Sequence, residues 1–283
     1  PGYAEEDSAK VVFGSPSQYS NIDWVWISSN EKIEKMGGRD ALHLSPQGDW
    51  YCRLAISDEW LYAPKGTAVE VDVEYYDKEE SHFAIVYDSI NGREDGGAES
   101  ETVKMTGTGE WKKYTFYFDD MRAINSVEGY DMRIGVYSDT AGTSAGDIYI
   151  GSVEVRKVFP REPVRVNVTS PYYGNIFGGA EEKKFDVSFE NLIDDKLDTT
   201  VTYNIVDEAG QIIKEGVINR TPDMVAETVQ LDFSDITKYG LYEFNITTTV
   251  DFELNGEKKQ AVSEKCIEFS VINKSDINER NQN

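Results

Sequence analysis

The sequence contains one stretch with the spacing of a catalytic serine. Residues 142–146, GTSAG, match the pattern G-x-S-x-G, in which Ser144 would attack an acyl carbon. That chemistry needs a strained strand-to-helix turn, followed later in the chain by an acid and a histidine. Here the stretch joins two alternating segments that are typical of β-strands, and both histidines, His43 and His82, precede it. The stretch therefore predicts a hairpin loop rather than a nucleophile.

One segment has the composition of a cation site. The two histidines lack metal-ligand spacing to each other or to a cysteine, so the sequence does not predict zinc. Residues 88–101, DSINGREDGGAESE, instead concentrate carboxylate and amide oxygens in a glycine-rich loop. Ca²⁺ binds about six to eight oxygen ligands, although the EF-hand spacing is absent here. The loop is a candidate for a structural calcium, with Asp88, Asn91 and Asp95 as its ligands.

Other catalytic patterns are missing from the sequence. It contains no P-loop and no dinucleotide-binding fingerprint. Carboxylates are abundant, and a glycosidase places two of them about 5–10 Å apart across a cleft. Here the acidic residues follow the polar phase of predicted strands, which is typical of a solvated face. We therefore expect no catalysis by this chain alone and assign no catalytic residue.

Aromatic residues give the positive signal for binding. All five tryptophans lie in the first half of the chain, together with many of its 17 tyrosines. Aromatic rings can stack on the apolar face of a sugar, although they also fill the cores of small β-sandwiches, and we assign Trp111 to packing. Four residues occupy the polar phase of their strands and form the predicted ligand surface, with nearby tryptophans: Tyr76, Tyr117, Arg133 and Tyr137, with Trp24, Trp26 or Trp50.

These residues must be positioned by strands, because period-two alternation dominates the chain. In residues 109–120, GEWKKYTFYFDD, the side chains of Tyr114, Phe116 and Phe118 share one predicted face, and Tyr117 lies on the other. About ten such short segments precede residue 158, separated by turn residues. That spacing is typical of an antiparallel sandwich or jelly roll.

The strand pattern breaks once, at two prolines. Residues 158–164, VFPREPV, predict a short stiff linker. About seven further strands follow, which is typical of an immunoglobulin-like sandwich. We expect an all-β chain with a jelly-roll module at 1–159, an immunoglobulin-like domain at 160–273 and a polar tail at 274–283.

The net charge restricts the partners. Lys and Arg total 28 against 52 Asp and Glu, a net charge of −24. A field of this sign repels phosphate backbones and anionic membrane surfaces, while neutral polysaccharides and cations remain acceptable partners. No run of 18 apolar residues is present, so membrane insertion is not expected. The chain opens with PGYAEED, which is typical of a trimmed or mature start and is compatible with earlier removal of a signal peptide.

Two stretches resemble known families. AVEVDVEYYDKEESHFAIVYDS, GTGEWKKYTF, DMRIGVYS and DIYIGSVEVRKV, within about residues 20–158, resemble the galactose-binding-like jelly-roll modules of bacterial glycoside hydrolases. The segments GNIF (174–177) and YGLYEF (239–244) are similar to immunoglobulin-like domains that lie between such a module and a catalytic barrel. Some related modules carry an Asp near a structural calcium in the last strand, where this chain has Gly151.

The resemblance implies a non-catalytic accessory region of an extracellular or cell-surface glycoside hydrolase. Its first domain would bind a neutral polysaccharide or oligosaccharide, and a catalytic domain would follow in the parent protein. Two alternatives remain: a cell-surface adhesion or spacer protein without a glycan ligand, and an enzyme that is either of an unrecognised kind or incomplete.

Overall fold

The computed structural model describes residues 8–26, 32–46, 50–93, 97–136, 146–193, 196–222, 226–254 and 257–273. The chain divides into two compact units, Pro1–Pro160 and Arg161–Asn283. Among the described residues, strands dominate, and the single helical element is a 3-10 turn at Tyr173–Asn175. The prediction of an all-β chain built from antiparallel sandwiches is confirmed. No helix in these ranges is long and apolar enough to cross a membrane.

The first unit contains thirteen described strands. They are β1 (Ser8–Val12), β2 (Gln18–Ser20), β3 (Ile22–Trp26), β4 (Lys32–Met36), β5 (Arg39–Leu44), β6 (Tyr51–Ile56), β7 (Thr67–Asp77), β8 (Glu80–Asp88), β9 (Gly97–Glu99), β10 (Val103–Thr106), β11 (Glu110–Met121), β12 (Met132–Gly135) and β13 (Ile148–Lys157).

These strands form two sheets that enclose one core. Sheet A has the order β11-β7-β13-β1-β2, with β5 beside β13 and β4 beside β5. Sheet B has the order β10-β8-β12-β6-β3, with β9 beside β8. Alternate residues of both sheets, such as Val71 and Phe116 in sheet A and Ile85 and Ile134 in sheet B, meet in one buried cluster. Burial of each large apolar side chain contributes about 1.5–3 kcal/mol. Because successive side chains of a strand point to opposite faces, the residues between these buried ones lie on the outer faces of the sandwich.

The turn between β10 and β11 is organised by a buried carboxylate. Asp77, fully buried at the end of β7, accepts hydrogen bonds from the backbone N–H groups of Thr106 (2.9 Å), Gly107 (2.9 Å) and Thr108 (3.2 Å). The ammonium of Lys112 lies 2.6 Å from the same carboxylate. These donors hold the pKa of Asp77 well below its usual range, despite the opposing effect of its burial.

The second unit has two further sheets. Its elements are β14 (Val164–Thr169), the 3-10 turn Tyr173–Asn175, β15 (Ile176–Gly178), β16 (Lys184–Asn191), β17 (Asp198–Asp207), β18 (Ile212–Arg220), β19 (Glu227–Asp232), β20 (Gly240–Leu254) and β21 (Glu257–Ile272). Sheet C has the order β14-β16-β19, and sheet D has the order β15-β21-β20-β17-β18. All pairs are antiparallel except β15 with β21. Phenylalanines dominate the core between them, including Phe185, Phe244 and Phe269.

We propose that the two units are separate domains, with the connection at residues 160–163. Trypsin at low ratio is then expected to cut near Arg161 and to leave fragments of about 160 and 120 residues. Each purified fragment should retain a β-type circular dichroism spectrum. Fragments that unfold on separation, or a chain that is degraded without a stable fragment near either size, would contradict this division.

Candidate functional site

The predicted binding residues do not form one surface. Tyr76 on β7 and Tyr117 on β11 belong to sheet A, whereas Trp24, Trp26 and Arg133 belong to sheet B. All five lie on the phase opposite to the core; the alternation predicted this for Tyr76, Tyr117 and Arg133 and left the phase of the two tryptophans open. Since the core lies between the sheets, the two groups point away from each other on opposite faces of the sandwich. The prediction of a single combined surface is therefore wrong, because alternation gives the face of a strand but not the sheet that it joins.

Three of the predicted residues fall outside the described ranges. These are Tyr137 of the ligand surface, Asp95 of the calcium loop and Ser144 of the G-x-S-x-G stretch. Their predicted roles are left as predictions. Tyr117 is described: it is half-buried and lies opposite Glu70 in the pairing of β11 with β7.

The outer face of sheet A is occupied by ion pairs. The carboxylate of Asp72 accepts hydrogen bonds from Lys113 (2.9 Å) and Arg156 (2.7 Å). The carboxylate of Glu74 accepts one from Arg39 at 2.5 Å. These contacts lower the pKa of both acids against the opposing effect of desolvation. The polar phase of these strands is thus a network of paired charges rather than a stacking surface.

Tyr76 and Trp111 hold the β4–β5 hairpin against this face. Their rings lie 5.6 Å apart, and the indole N–H of Trp111 donates to the carbonyl of Met36 at 3.1 Å. The guanidinium of Arg39 covers the Trp111 ring at 4.3 Å. Gly37 has a φ of +51°, and a Cβ atom there would lie 2.8 Å from the Tyr76 ring. Tyr76 therefore packs within the protein, and Trp111 packs as predicted, but on the hairpin and outside the core cluster.

The outer face of sheet B carries the second group of predicted residues. Trp24 and Trp26 lie on the edge strand β3 and are 41% and 42% exposed. In register, Trp26 lies opposite Arg53 on β6, and Arg53 lies opposite Arg133 on β12. Tyr51, two residues before Arg53, lies on the same face. We call this surface the Trp–Arg face, defined by Trp24, Trp26, Tyr51, Arg53 and Arg133.

Ring contacts fix the geometry of the Trp–Arg face. The rings of Trp26 and Tyr51 lie 5.9 Å apart with planes inclined by 31°, and Trp50 contacts Tyr51 edge-on at 4.3 Å. The guanidinium of Arg53 lies 5.0 Å from the Trp26 ring and 5.2 Å from the Tyr51 ring. The guanidinium of Arg133 lies 5.7 Å from Tyr51. Cation–π contacts of this kind hold both arginines before any ligand arrives.

The sequence contained a signal for the two residues of this face that were missed. In YCRLAI (51–56), Cys52, Leu54 and Ile56 are fully buried in the core. Tyr51 and Arg53 must therefore project outward, next to the tryptophans of β3. Alternation alone would have shown that β6 presents an aromatic residue and an arginine to the outside.

The connection between β11 and β12 covers part of the same face. Within it, Val127 and Tyr130 pack on Val86 of β8 in a small buried cluster. The guanidinium of Arg53 lies 4.7 Å from the Tyr130 ring, and the Tyr130 hydroxyl accepts a hydrogen bond from Arg133 at 3.3 Å. This connection therefore forms one wall of the Trp–Arg face.

Asp88 holds this connection and does not fit a calcium site. It is fully buried, and its two oxygens accept hydrogen bonds from Arg122 Nε (2.8 Å), Ile124 N (3.0 Å), Ser126 N (3.0 Å) and Ser126 Oγ (2.5 Å). Protein donors thus take the lone pairs that a cation would need. Asn91 points its amide group to Asp120, to which it donates at 3.0 Å. The assignment of Asp88 as a calcium ligand is wrong for this physical reason.

Within the described ranges, no three His, Cys, Asp or Glu side chains are grouped so as to hold a metal ion. The two cysteines are free thiols: Cys52 is buried in the core of the first unit, and Cys266 is exposed on β21. Burial raises the pKa of the Cys52 thiol to about 12. A thiol of this kind is a poor metal ligand, because metals bind the thiolate.

A second buried carboxylate fixes the same connection. Asp131, fully buried, accepts hydrogen bonds from the backbone N–H groups of Ile56 (2.8 Å) and Asn125 (2.9 Å). Burial raises its pKa to about 6, with a further contribution from the nearby charge of Asp88. Asn125 and Glu128 have φ values of +58° and +51°, in the left-handed region. The two aspartates hold this strained backbone in place.

We expect Asp131 to titrate near pH 6. Its pKa is raised on folding, so between about pH 4 and 6 the native state binds a proton that the unfolded chain does not bind. The contribution of this carboxyl group to stability is greatest below about pH 4 and falls by roughly 2–3 kcal/mol as the pH rises through 6. Carboxyl ¹³C NMR should show a resonance that titrates near pH 6 and is absent in Asp131→Asn. A spectrum in which every carboxyl titrates below pH 5 would contradict the expectation.

The second unit contains a cleft whose lining differs from the Trp–Arg face. It measures about 500 Å³ and lies on the outer face of sheet D, and its lining includes Thr202, Asn204, Asn245 and Thr247. Tyr203 contributes the one ring to this lining, and it packs inward on Phe233 and Phe244 at 5.9 and 5.8 Å. The cleft therefore has a mixed polar and apolar lining and lacks the exposed tryptophan rings of the Trp–Arg face.

Comparison with known proteins places the chain in no family. No protein-family model matches it, and no curated protein matches it. Among solved structures, the CARDB domain of a Pyrococcus furiosus protein, in complex with di-metal ions, aligns at 22% identity and a TM-score of 0.26 over 38% of this chain and 87% of that domain. The CBM1 module of BiXyn10A aligns at 15% identity and a TM-score of 0.29, over 48% of this chain and 92% of the module.

A calcium-binding mutant of Bacteroides uniformis beta-glucuronidase 2 aligns over more of the chain. The alignment covers 93% of this chain and 32% of the enzyme, at 13% identity and a TM-score of 0.30. The chain therefore spans about a third of the length of that enzyme. Identities and TM-scores of this size do not carry the activity or the ligands of these proteins over to the chain.

Proposed function

We propose that this chain is a non-catalytic carbohydrate-binding region and that its first unit binds a polysaccharide through the Trp–Arg face. The observation that carries the proposal is the pair of tryptophans, Trp24 and Trp26, on one face of an edge strand at 41% and 42% exposure. Large aromatic side chains are normally buried, and two on one exposed surface, beside fixed hydrogen-bond donors, are typical of a binding site.

The face offers the two kinds of contact that a sugar needs. The indole rings of Trp24 and Trp26 supply flat apolar surface for the CH face of a pyranose. The guanidinium groups of Arg53 and Arg133 donate hydrogen bonds to sugar oxygens. Neighbouring strands lie about 4.8 Å apart, so ring and donor reach the same or adjacent sugar units.

The wider role follows from the sequence resemblance. We propose a galactose-binding-like jelly roll followed by an immunoglobulin-like domain, which together form an accessory region of an extracellular glycoside hydrolase. A catalytic domain would then follow in the parent protein. The net charge of −24 favours a neutral polysaccharide as the ligand and disfavours nucleic acid. The expectation of no catalysis rests on the sequence, in which no histidine follows Ser144 and strand patterns account for nearly the whole length of the chain.

A glycan array with the whole chain tests the proposal. Binding to at least one polysaccharide or oligosaccharide class, lost in a double variant Trp24→Ala and Trp26→Ala that keeps the wild-type circular dichroism spectrum, is the expected result. Hydrolysis of the bound glycans would contradict the non-catalytic role. If no glycan binds, the carbohydrate-binding role is refuted and the chain is better described as an adhesion or spacer protein.

A further inference from the structure

Glu128 lies at the rim of the Trp–Arg face on a strained backbone. Its φ of +51° is in the left-handed region, which glycine and asparagine adopt more readily than glutamate. The next residue, Gly129, has a φ of +88° and supplies the glycine that such a turn favours. Glycine or asparagine at position 128 would fit this backbone better, so the turn itself does not require a glutamate there.

The carboxylate of Glu128 points over the face toward Arg53. Its Oε2 atom accepts a hydrogen bond from Nη2 of Arg53 at 3.0 Å, and its side chain is 53% exposed. The Oε1 atom makes no hydrogen bond within the described part of the chain. An ion pair as exposed as this one contributes little to folding. The carboxylate is therefore an accessible acceptor that a ligand can use.

Three aromatic rings hold the Arg53 guanidinium beside this carboxylate. The guanidinium lies 5.0 Å from the Trp26 ring, 5.2 Å from the Tyr51 ring and 4.7 Å from the Tyr130 ring. Nη2 of Arg53 also donates to the Tyr51 hydroxyl at 3.1 Å. The Nε atom is buried, so the terminal nitrogens are the donors that a ligand can reach. A hydrogen-bond donor and an acceptor are thus fixed side by side before a ligand binds.

We propose, on the basis of the proposed function, that Glu128 and Arg53 together bind two neighbouring hydroxyl groups of a neutral sugar and so determine which glycans the Trp–Arg face accepts. A hydroxyl group both donates and accepts hydrogen bonds, so one can donate to Glu128 while its neighbour accepts from Arg53. Hydrogen bonds to charged groups are stronger than those between neutral groups. The face therefore selects sugars that carry two free hydroxyls on adjacent carbons.

The same pair disfavours acidic sugars. The carboxylate of Glu128 balances the charge of Arg53 at a distance of 3.0 Å. A sugar carboxylate or sulfate at this position would lie against the carboxylate of Glu128, and like charges at short range repel each other. The preference for a neutral glycan then has a local cause, in addition to the net charge of −24.

Isothermal titration calorimetry with the whole chain tests the pair. The neutral probes are xylan, galactomannan, mixed-linkage β-glucan and dextran, and polygalacturonate is the acidic probe. If none of the four neutral polymers binds, the tightest neutral glycan of the array replaces them. Wild type should bind at least one neutral probe about tenfold or more tightly than polygalacturonate. Glu128→Asn should weaken that neutral binding at least about tenfold, because it removes a charged acceptor. Glu110→Asn, at an exposed acid on sheet A, should leave it unchanged.

Two further measurements separate contact with the sugar from a structural role. Asparagine fits the left-handed backbone better than glutamate, so Glu128→Asn should unfold at the same or a higher urea concentration than wild type. Chemical O-acetylation of the bound polymer caps its hydroxyl groups and should weaken its binding to wild type. The loss should be several-fold smaller in Glu128→Asn, because the two changes remove the same hydrogen bond.

The failures of the two proposals are distinguishable. Unchanged neutral binding in Glu128→Asn, or an equal loss on acetylation in both proteins, overturns the role of Glu128 and leaves carbohydrate binding intact. Equal affinity of wild type for the neutral and acidic polymers does the same. Weaker binding together with a lower urea midpoint assigns Glu128 to the fold and also overturns its contact with the sugar. Failure of every glycan refutes both proposals.

Discussion

Replacement of Asp77 by alanine is expected to destabilise the first unit by about 3–5 kcal/mol, the cost typical of breaking a buried charged network. The substitution removes the acceptor for three backbone N–H groups, those of Thr106, Gly107 and Thr108, and the partner of Lys112. Gly107 has a φ of +71°, so the turn contains backbone in the left-handed region that the Asp77 carboxylate helps to hold. The β10–β11 connection should lose its order, and β11 is an edge strand of sheet A.

Urea unfolding followed by tryptophan fluorescence measures this effect. All five tryptophans lie in the first unit, so the signal reports that unit alone. Glu110→Ala, an exposed acid next to the same turn, is the matched control and should change stability by less than about 0.5 kcal/mol. A loss of less than about 1 kcal/mol in Asp77→Ala would show that the turn does not depend on this carboxylate.

The effect should also depend on pH. Because folding lowers the pKa of Asp77, its contribution is fully present above about pH 4, the pKa of an Asp in an unfolded chain, and is lost as the pH falls toward its folded value. The stability difference between wild type and Asp77→Ala should therefore shrink below about pH 4. This direction is opposite to that expected for Asp131.

Replacement of Trp26 by alanine is expected to weaken glycan binding at least tenfold. A stacking aromatic residue at a binding site contributes about 1–3 kcal/mol, and this ring also supports the Arg53 guanidinium at 5.0 Å. Because Trp26 is 42% exposed and lies outside the core cluster, the fold should be little affected. The measurement is the dissociation constant for the tightest glycan of the array, with unfolding curves to verify stability.

Tyr117→Ala is the matched control for this effect. The sequence predicted that Tyr117 stacks on the sugar, but the structure places it on the outer face of sheet A. Binding should therefore be unchanged in Tyr117→Ala. Loss of binding in this variant, with normal binding in Trp26→Ala, would move the site to sheet A and refute the assignment to the Trp–Arg face.

The sequence indicated which side chains point outward from a strand, but it did not indicate which of the two sheets each strand joins. Phe116 and Phe118 were predicted in the core and are buried there, and Arg133 was predicted outside and lies outside. Tyr117 and Arg133 were nevertheless grouped, although β11 pairs with β7 in sheet A and β12 pairs with β6 and β8 in sheet B. Pairings between strands so distant in the chain depend on how the whole core packs, and a local period carries no information about them.

The calcium assignment failed for a related reason. The loop after β8 has the composition of a cation site, and Asp88 was a reasonable ligand by type. Its actual partners, Arg122 and Ser126, are 34 and 38 residues away in the sequence. A carboxylate satisfied by protein donors and one that awaits a metal look alike in a sequence. The tertiary hydrogen bonds alone distinguish them.

The indole resonances of the five tryptophans test the central claim most directly. Each gives one N–H signal in a ¹⁵N-labelled sample, and single substitutions assign them. On titration with the glycan that binds most tightly, the signals of Trp24 and Trp26 should shift, while that of Trp111, which donates to Met36 beneath the β4–β5 hairpin, should stay in place. A titration in which Trp111 shifts and Trp24 and Trp26 do not would contradict the assignment of the Trp–Arg face as the binding site.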